Sequence, residues 1–238
     1  MKLDVLALAA HPDDAEISAG GTIASMVASG KKVGIVDLTR GELGSRGSAD
    51  LRDQEAAASA KILGLSAREN LHMADGFFQH TEENIRAIIR MIRKYKPDIV
   101  LANSVTDRHP DHGKGAKLQA EACFLSGLRR IETELDGQAQ EAWRPRAVYH
   151  YIQDYFIDPD VVVDISDFYG KKMDSIKAFS SQFYDPNSEE PETPISGKEF
   201  FDFIESRAMQ FGRPIGAKYG EGFTSARFVG VRDLTTLL

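Results

Sequence analysis

Residues 3–14 read Leu-Asp-Val-Leu-Ala-Leu-Ala-Ala-His-Pro-Asp-Asp, an apolar run that breaks off into an ionisable cluster. The run from Leu3 to Ala9 is compact and hydrophobic enough for a parallel strand buried on both faces. Val33–Leu38 and Asp98–Ala102 repeat it. Between these runs lie helical patterns. Gly20–Ser29 is one, and Ala-rich Asp50–Leu63, stopped by Gly64, is another. Thr81–Tyr95 places Ile85, Ile88, Ile89 and Ile92 at helical spacing behind an N-capping Thr81, and Gly113–Leu128 comes next. Strands and helices in the order β-α-β-α-(β)-α-β-α predict an α/β fold, doubly wound, with a mostly parallel sheet and helices on both faces.

After about residue 140 the pattern loosens. Ala147–Ile152 and Val161–Ile165 read as strands, and Phe168–Phe183 as a helix. Asp185–Gly197 holds three prolines and four acids, a loop or lid, and a helix is expected over Lys198–Phe211. The expected organisation is one domain over 1–238. Its core covers about 1–140, and a C-terminal portion of about 141–238 carries the lid near 185–199.

The 238 residues are 42% hydrophobic and 27% charged, enough to bury a sizeable core. A formal charge of −7 argues against nucleic acid as a partner. The single cysteine, Cys123, excludes an intrachain disulfide and a cysteine-based zinc cluster, and its apolar neighbours predict a buried, inert thiol. The N-terminal apolar run is too short for a leader peptide or a membrane span, so a cytoplasmic protein with no membrane contact is expected.

Ligands of open α/β sheets bind beyond the carboxyl ends of the strands, where strand order reverses. With a strand order 3-2-1-4-5, the first and fourth strands are neighbours at that point. His11-Pro12-Asp13-Asp14 and Asp107-Arg108-His109-Pro110-Asp111-His112 then face one crevice. Catalytic zinc commonly takes three nitrogen or oxygen ligands and leaves a position for water. His11, Asp14 and His112 meet that count, with Asp13 left as general base, although spacing alone leaves the two aspartates exchangeable. His109, when protonated, is suited to an oxyanion or a leaving amine, and Asp111 to keeping it charged. Iron(II), cobalt or manganese also suits such a donor set.

Three further features surround this crevice. Gly20-Gly21 reads as a close approach of helix to sheet rather than a phosphate loop, because no GxGxxG follows the strand. Thr39–Gly47 (TRGELGSRG) is an adaptable loop at the same sheet edge. Arg52 and Glu55 stand at helical i, i+3 spacing, read either as a surface ion pair or, for Arg52, as a substrate ligand.

AHPDD at Ala10–Asp14, TRGELGSRG, Arg52-x-x-Glu55 and HPDH at His109–His112 together resemble the PIG-L/LmbE-like de-N-acetylases. Among these the similarity is to the bacillithiol biosynthesis deacetylases, which act on N-acetylglucosaminyl malate. It extends over nearly the whole chain, including Tyr219–Phe223. The resemblance implies a Rossmann-like fold and zinc held by His11, Asp14 and His112. It implies Asp13 as base and His109 as charged oxyanion partner, supported by Asp111 and by Arg144. Arg52, Glu42 and Arg108 are the expected substrate-binding residues, with Arg40 and Arg46 as further candidates. It also implies a small-molecule N-acetylated sugar conjugate as substrate and a homo-oligomer, often a hexamer. Some members bring a mobile tyrosine from the late lid, but Ser196–Phe201 here contains phenylalanine and no tyrosine. The rival readings are a broader chitooligosaccharide or mycothiol-type amide hydrolase, and a non-catalytic sugar- or nucleotide-binding protein.

Overall fold

The computed structural model describes residues 1–237. β1 (Val5–Ala9), β2 (Val33–Asp37), β3 (Ala67–Asn70) and β4 (Ile99–Ala102) alternate with α1 (Asp14–Ala28), α2 (Ala49–Leu63) and α3 (Glu82–Tyr95). After α4 (Pro110–Leu125) come a small hairpin, β5 (Glu134–Leu135) and β6 (Gln138–Ala139), then β7 (Ala147–Tyr151) and β8 (Val161–Asp164). α5 (Tyr169–Lys177), α6 (Glu199–Gly212) and β9 (Gly220–Thr224) complete the elements that matter for the site.

The main sheet runs β3-β2-β1-β4-β7-β9-β8. Its first five strands are parallel, and β9 lies antiparallel to both β7 and β8. Strand order therefore reverses between β1 and β4, as a doubly wound sheet requires. Period-2 alternation along β1 sends its side chains to opposite faces. Leu6 and Leu8 pack with Ile88, Ile89, Ile92, Leu118 and Ala122 of α3 and α4. Val5, Ala7 and Ala9 pack with Ala15, Ala19 and Ile23 of α1. Both faces are thus dry, which is why β1 reads as an unbroken apolar run. Cys123 is buried in the first cluster, and burial pushes its thiol up to about 12, as an inert thiol requires. Among the described residues no helix is long and apolar enough to cross a membrane.

Several element bounds differ from the sequence reading for local reasons. α1 starts at Asp14 rather than Gly20, and α4 at Pro110 rather than Gly113, so both helices begin inside the ionisable motifs. Pro110 occupies the first helical turn, where its missing N–H and fixed φ cost nothing. α5 stops at Lys177 rather than Phe183, because Ser181 N–H turns aside to donate to Glu55 Oε1 at 2.7 Å. Thr81 caps α3 by accepting from Asn84 N, and Gly64 ends α2 with φ +76°.

Gly20-Gly21 lies mid-helix in α1 and marks close packing. A Cβ on Gly21 would stand 2.7 Å from Ile165. Beside it, the buried Glu221 carboxylate of β9 accepts from Gly21 N (3.0 Å), Thr22 N (2.7 Å) and Lys172 Nζ (2.6 Å). Gly21→Ala should lower the unfolding free energy by about 1–3 kcal/mol through overpacking. Gly170→Ala, in α5 with open space around its Cβ, should leave stability unchanged or raise it. Urea denaturation of the two variants checks both.

Candidate metal centre

Five loops at the carboxyl edge of the sheet build one cleft of about 300 Å³. They follow β1, β2, β3, β4 and β7. The loop after β1 folds tightly, with His11 N–H donating to Asp14 Oδ2 at 3.0 Å. Asp13 is held at φ 118°, in the left-handed region that a branched carboxylate side chain adopts at a cost of order 1–3 kcal/mol. The two adjacent carboxylates then meet different partners, Asp13 pairing with Arg52 and Asp14 facing His11 and His112.

Asp14 lies between the two histidine motifs. Its carboxylate stands 3.7 Å from His11 Nδ1 and 3.1 Å from His112 Nε2. Asn103 Nδ2 and Gln153 Nε2 donate to it at 2.9 and 3.1 Å, fixing its two oxygens from the ends of β4 and β7. Burial opposes ionisation, yet His112 and His11 hold the Asp14 carboxyl well below the usual range. Burial likewise opposes charge on His112, but Asp14 and Asp107 raise its imidazolium to about 9. Ring nitrogens of His11, His109 and His112 come within 4.8 Å of one another. A buried carboxylate kept anionic among convergent imidazoles is the nitrogen-and-oxygen donor set that a divalent transition metal takes, so these residues fit one.

Asp13 is also buried, and desolvation raises its carboxyl to about 6 against the pull of Arg52. Arg52 donates to Asp13 Oδ2 at 2.7 Å, to Pro12 O at 3.1 Å and to Gly41 O at 3.3 Å. This corrects the surface ion pair expected between Arg52 and Glu55: Arg52 is buried, lines the cleft and pairs there with Asp13. Gly41 explains the glycine of the TRGE loop, because a Cβ there would fall 2.3 Å from Arg52 Nη1. Glu55 instead accepts from Ser180 and Ser181, at the root of the wall opposite.

Other placements also differ. His109 caps α4, its Nδ1 accepting from Asp111 N at 3.3 Å. Burial and the neighbouring His11 and His112 lower its pKa, which disfavours the charged ring, and with Nδ1 accepting, the proton of a neutral ring belongs on Nε2. Asp111 does not pair with that ring. Its carboxylate accepts from Gly76 N at 2.8 Å, meets Lys114 Nζ at 2.6 Å and stands 3.4 Å from His11 Nε2. Arg144 lies elsewhere, over the Phe124 ring and donating to Phe124 O. Glu42 does not line the cleft and accepts from Asp75 N and Arg40 N. Arg108 reaches the rim but pairs with Asp154 at 2.7 Å. Arg40 pairs with Asp50 and Asp53, and Arg46 donates to Phe183 O and Ser188 Oγ.

The structure adds Asp75, Asn103 and Gln153, and gives Asp107 a partner in His112 Nδ1 at 2.5 Å. Asp75 Oδ1 stands 3.0 Å from His11 Nε2. The one signal for it in the sequence is an Asp-Gly turn beyond a strand of the same sheet. The far wall of the cleft is apolar, formed by Pro194, Ile195, Phe200 and Phe203.

Comparison with known proteins identifies the family. The profile of the GlcNAc-PI de-N-acetylase (PIG-L) family matches residues 6–123. Diacetylchitobiose deacetylase of Thermococcus kodakarensis is 31% identical over 94% of this chain and 82% of its own length. A conserved protein from Thermus thermophilus has a crystal structure that superposes with TM-score 0.87, at 33% identity over 98% of each chain. 4-Oxalmesaconate hydratase of Pseudomonas putida is 26% identical over 93% of this chain and 84% of its own.

A carbon-detected NMR titration of the metal-free protein should place the Asp13 carboxyl midpoint near 6. Because the Arg52 cation favours the carboxylate, Arg52→Met should move that midpoint upwards. A midpoint unmoved by the substitution would show that the pairing does not govern Asp13.

Proposed function

The chain belongs to the PIG-L family of GlcNAc-PI de-N-acetylases, and from that premise we propose that it hydrolyses the acetamide of an N-acetylglucosamine-type saccharide at a zinc ion held by His11, Asp14 and His112. The observation that carries this reading is Asp13, a buried carboxylate poised near 6 beside the histidine–aspartate donor set. A bound zinc ion polarises the amide carbonyl and lowers the pKa of water to about 7. Arg52 engages Asp13 Oδ2 and leaves Oδ1 to accept the proton of the attacking water. That water adds to the carbonyl carbon, and neutral His109 donates its Nε2–H to the oxygen that becomes negative. When the carbon–nitrogen bond breaks, the proton on Asp13 passes to the leaving nitrogen. Acetate and a free amine result.

The family resemblance makes N-acetylglucosaminyl malate one candidate substrate. The charge arrangement favours a neutral saccharide instead, such as the diacetylchitobiose that names the archaeal relative. An anionic aglycone needs an unpaired cation in the cleft, and the two arginines that line it, Arg52 and Arg108, each face a carboxylate. Phe200 and Phe203 offer the apolar wall against which a sugar ring packs.

Acetate release from diacetylchitobiose, N-acetylglucosaminyl malate and an N-acetylglucosaminyl inositol separates these substrates. The neutral disaccharide should exceed the malate conjugate in kcat/KM by about tenfold or more, and the reverse order would restore the anionic substrate. Hydration of an unsaturated dicarboxylate without any acetate release would favour the chemistry of the hydratase relative. Asp13→Asn should retain its metal and lose about 10²–10⁴ of the rate. Asp13 must be ionised to accept a proton, so activity should rise with pH through about 6 and be lost below it. A rate independent of pH between 5 and 7, on the order of one unit either side of that midpoint, would count against Asp13 as the base.

A further inference from the structure

Each of the two histidines that flank Asp14 meets carboxylate on its remote ring nitrogen, and the remote nitrogens are opposite ones. For His11 it is Nε2, buried between Asp75 Oδ1 at 3.0 Å and Asp111 Oδ2 at 3.4 Å, with neither oxygen in line with the N–H direction. For His112 it is Nδ1, 2.5 Å from Asp107 Oδ2. A carboxylate that is ionised only accepts, so the ring proton belongs on the nitrogen that faces it. Asp14 faces the other two nitrogens, His11 Nδ1 and His112 Nε2, so those are the positions at which a metal held by Asp14 would take the place of a proton while the remote protons stay on their carboxylates.

We infer that Asp75 and Asp107 are positioning residues that select opposite tautomers of His11 and His112, so that the metal is taken by Nδ1 of one ring and Nε2 of the other. Both carboxylates are themselves fixed by backbone donors. Asp75 Oδ2 accepts from Leu43 N at 2.9 Å, and the Asp75 N–H is held by Glu42. This gives the TRGELGSRG loop a task that substrate contact does not explain: Leu43 and Glu42 clamp the carboxylate that orients His11. Asp107 Oδ1 accepts from Asp154 N at 3.0 Å and Tyr155 N at 2.8 Å, which ties His112 to the loop after β7. Carboxylate on the remote nitrogen raises the basicity of a ligating imidazole, and loss of such a partner commonly costs 10–100-fold in metal affinity.

One geometric alternative exists. His11, Asp75 and Asp111 also bring donor atoms within 4.8 Å of one another, so a cation seated there would use His11 Nε2. Lys114 and the Gly76 N–H already neutralise Asp111 at that position, which favours the Asp14 side.

The inference rests on the metal-dependent reading, and one experiment separates the two. The wild-type protein is labelled with ¹⁵N-histidine, loaded with zinc and examined by long-range proton–nitrogen correlation, which reports for each ring which nitrogen carries the metal and which the proton. Zinc on His11 Nδ1 and His112 Nε2 is the expected result. Zinc on His11 Nε2 overturns the assignment while leaving metal binding intact, whereas a protein that binds no zinc at all defeats the metal-dependent reading itself. Asp75→Ala and Asp107→Ala should each weaken zinc binding by about 10–100-fold in competition with a chelating dye. Unchanged affinity in both variants would likewise overturn the positioning roles. Where a variant does not fold, the wild-type nitrogen spectrum decides the matter.

Discussion

The parallel pairing of β1 with β4 is the constraint on which the rest depends. Val5, Leu6 and Ala7 stand opposite Ile99, Val100 and Leu101, so the two strands end side by side. The residues beyond both strands must emerge at one edge, and those residues are His11–Asp14 after β1 and Asn103–His112 after β4. Because strand order reverses there, the next helices leave to opposite faces and the edge stays open as a crevice. Ionisable groups separated in sequence by the whole stretch from α1 to β4 become a single site without any long loop.

Once the crevice exists, its energetics are those of buried charge. Desolvation disfavours every carboxylate in it, and each is supported by a different set of neighbours. Asp14 is held ionised by two imidazoles and Asp111 by His11 and Lys114, whereas the pull of Arg52 and, less, of His11 does not overcome the burial of Asp13. That graded support suits Asp14 to holding a cation and Asp13 to accepting a proton, although the two aspartates are adjacent in sequence. The strained φ of Asp13 is the backbone counterpart of the same division. Further back in the α1–β2 layer, Arg68 pairs with Asp37 and Glu16, extending the alternation of charge below the site.

Elements buried on both sides were legible in the sequence, and those with mixed exposure were not. β1, β2 and β4 announce themselves because both faces are apolar, and α3 because Thr81 caps it and its isoleucines repeat at helical spacing. β3, with Arg68 and Glu69 in its four residues, and β9, with two glycines and Glu221, carry no such pattern and gain their strand conformation from their neighbours. At the site, the two His-Pro motifs named the residues that the fold gathers: His11, Asp13, Asp14, His109, Asp111 and His112. The spacing of charges could not say which partner each would meet. Arg52 and Glu55 share a helix face yet grip different loops, and Asp75 looks like an ordinary turn until β3 is seen to end beside β2.

On the proposed reading, the cluster around Asp14 binds a divalent ion and thereby turns Asp13 into a hydrolytic base. The most direct measurement is acetate release by chelator-stripped protein titrated with zinc on an N-acetylated saccharide. Metal dependence predicts no release at the start and a linear rise to a plateau at one equivalent per chain. Full acetate release by protein shown to be free of metal would contradict it.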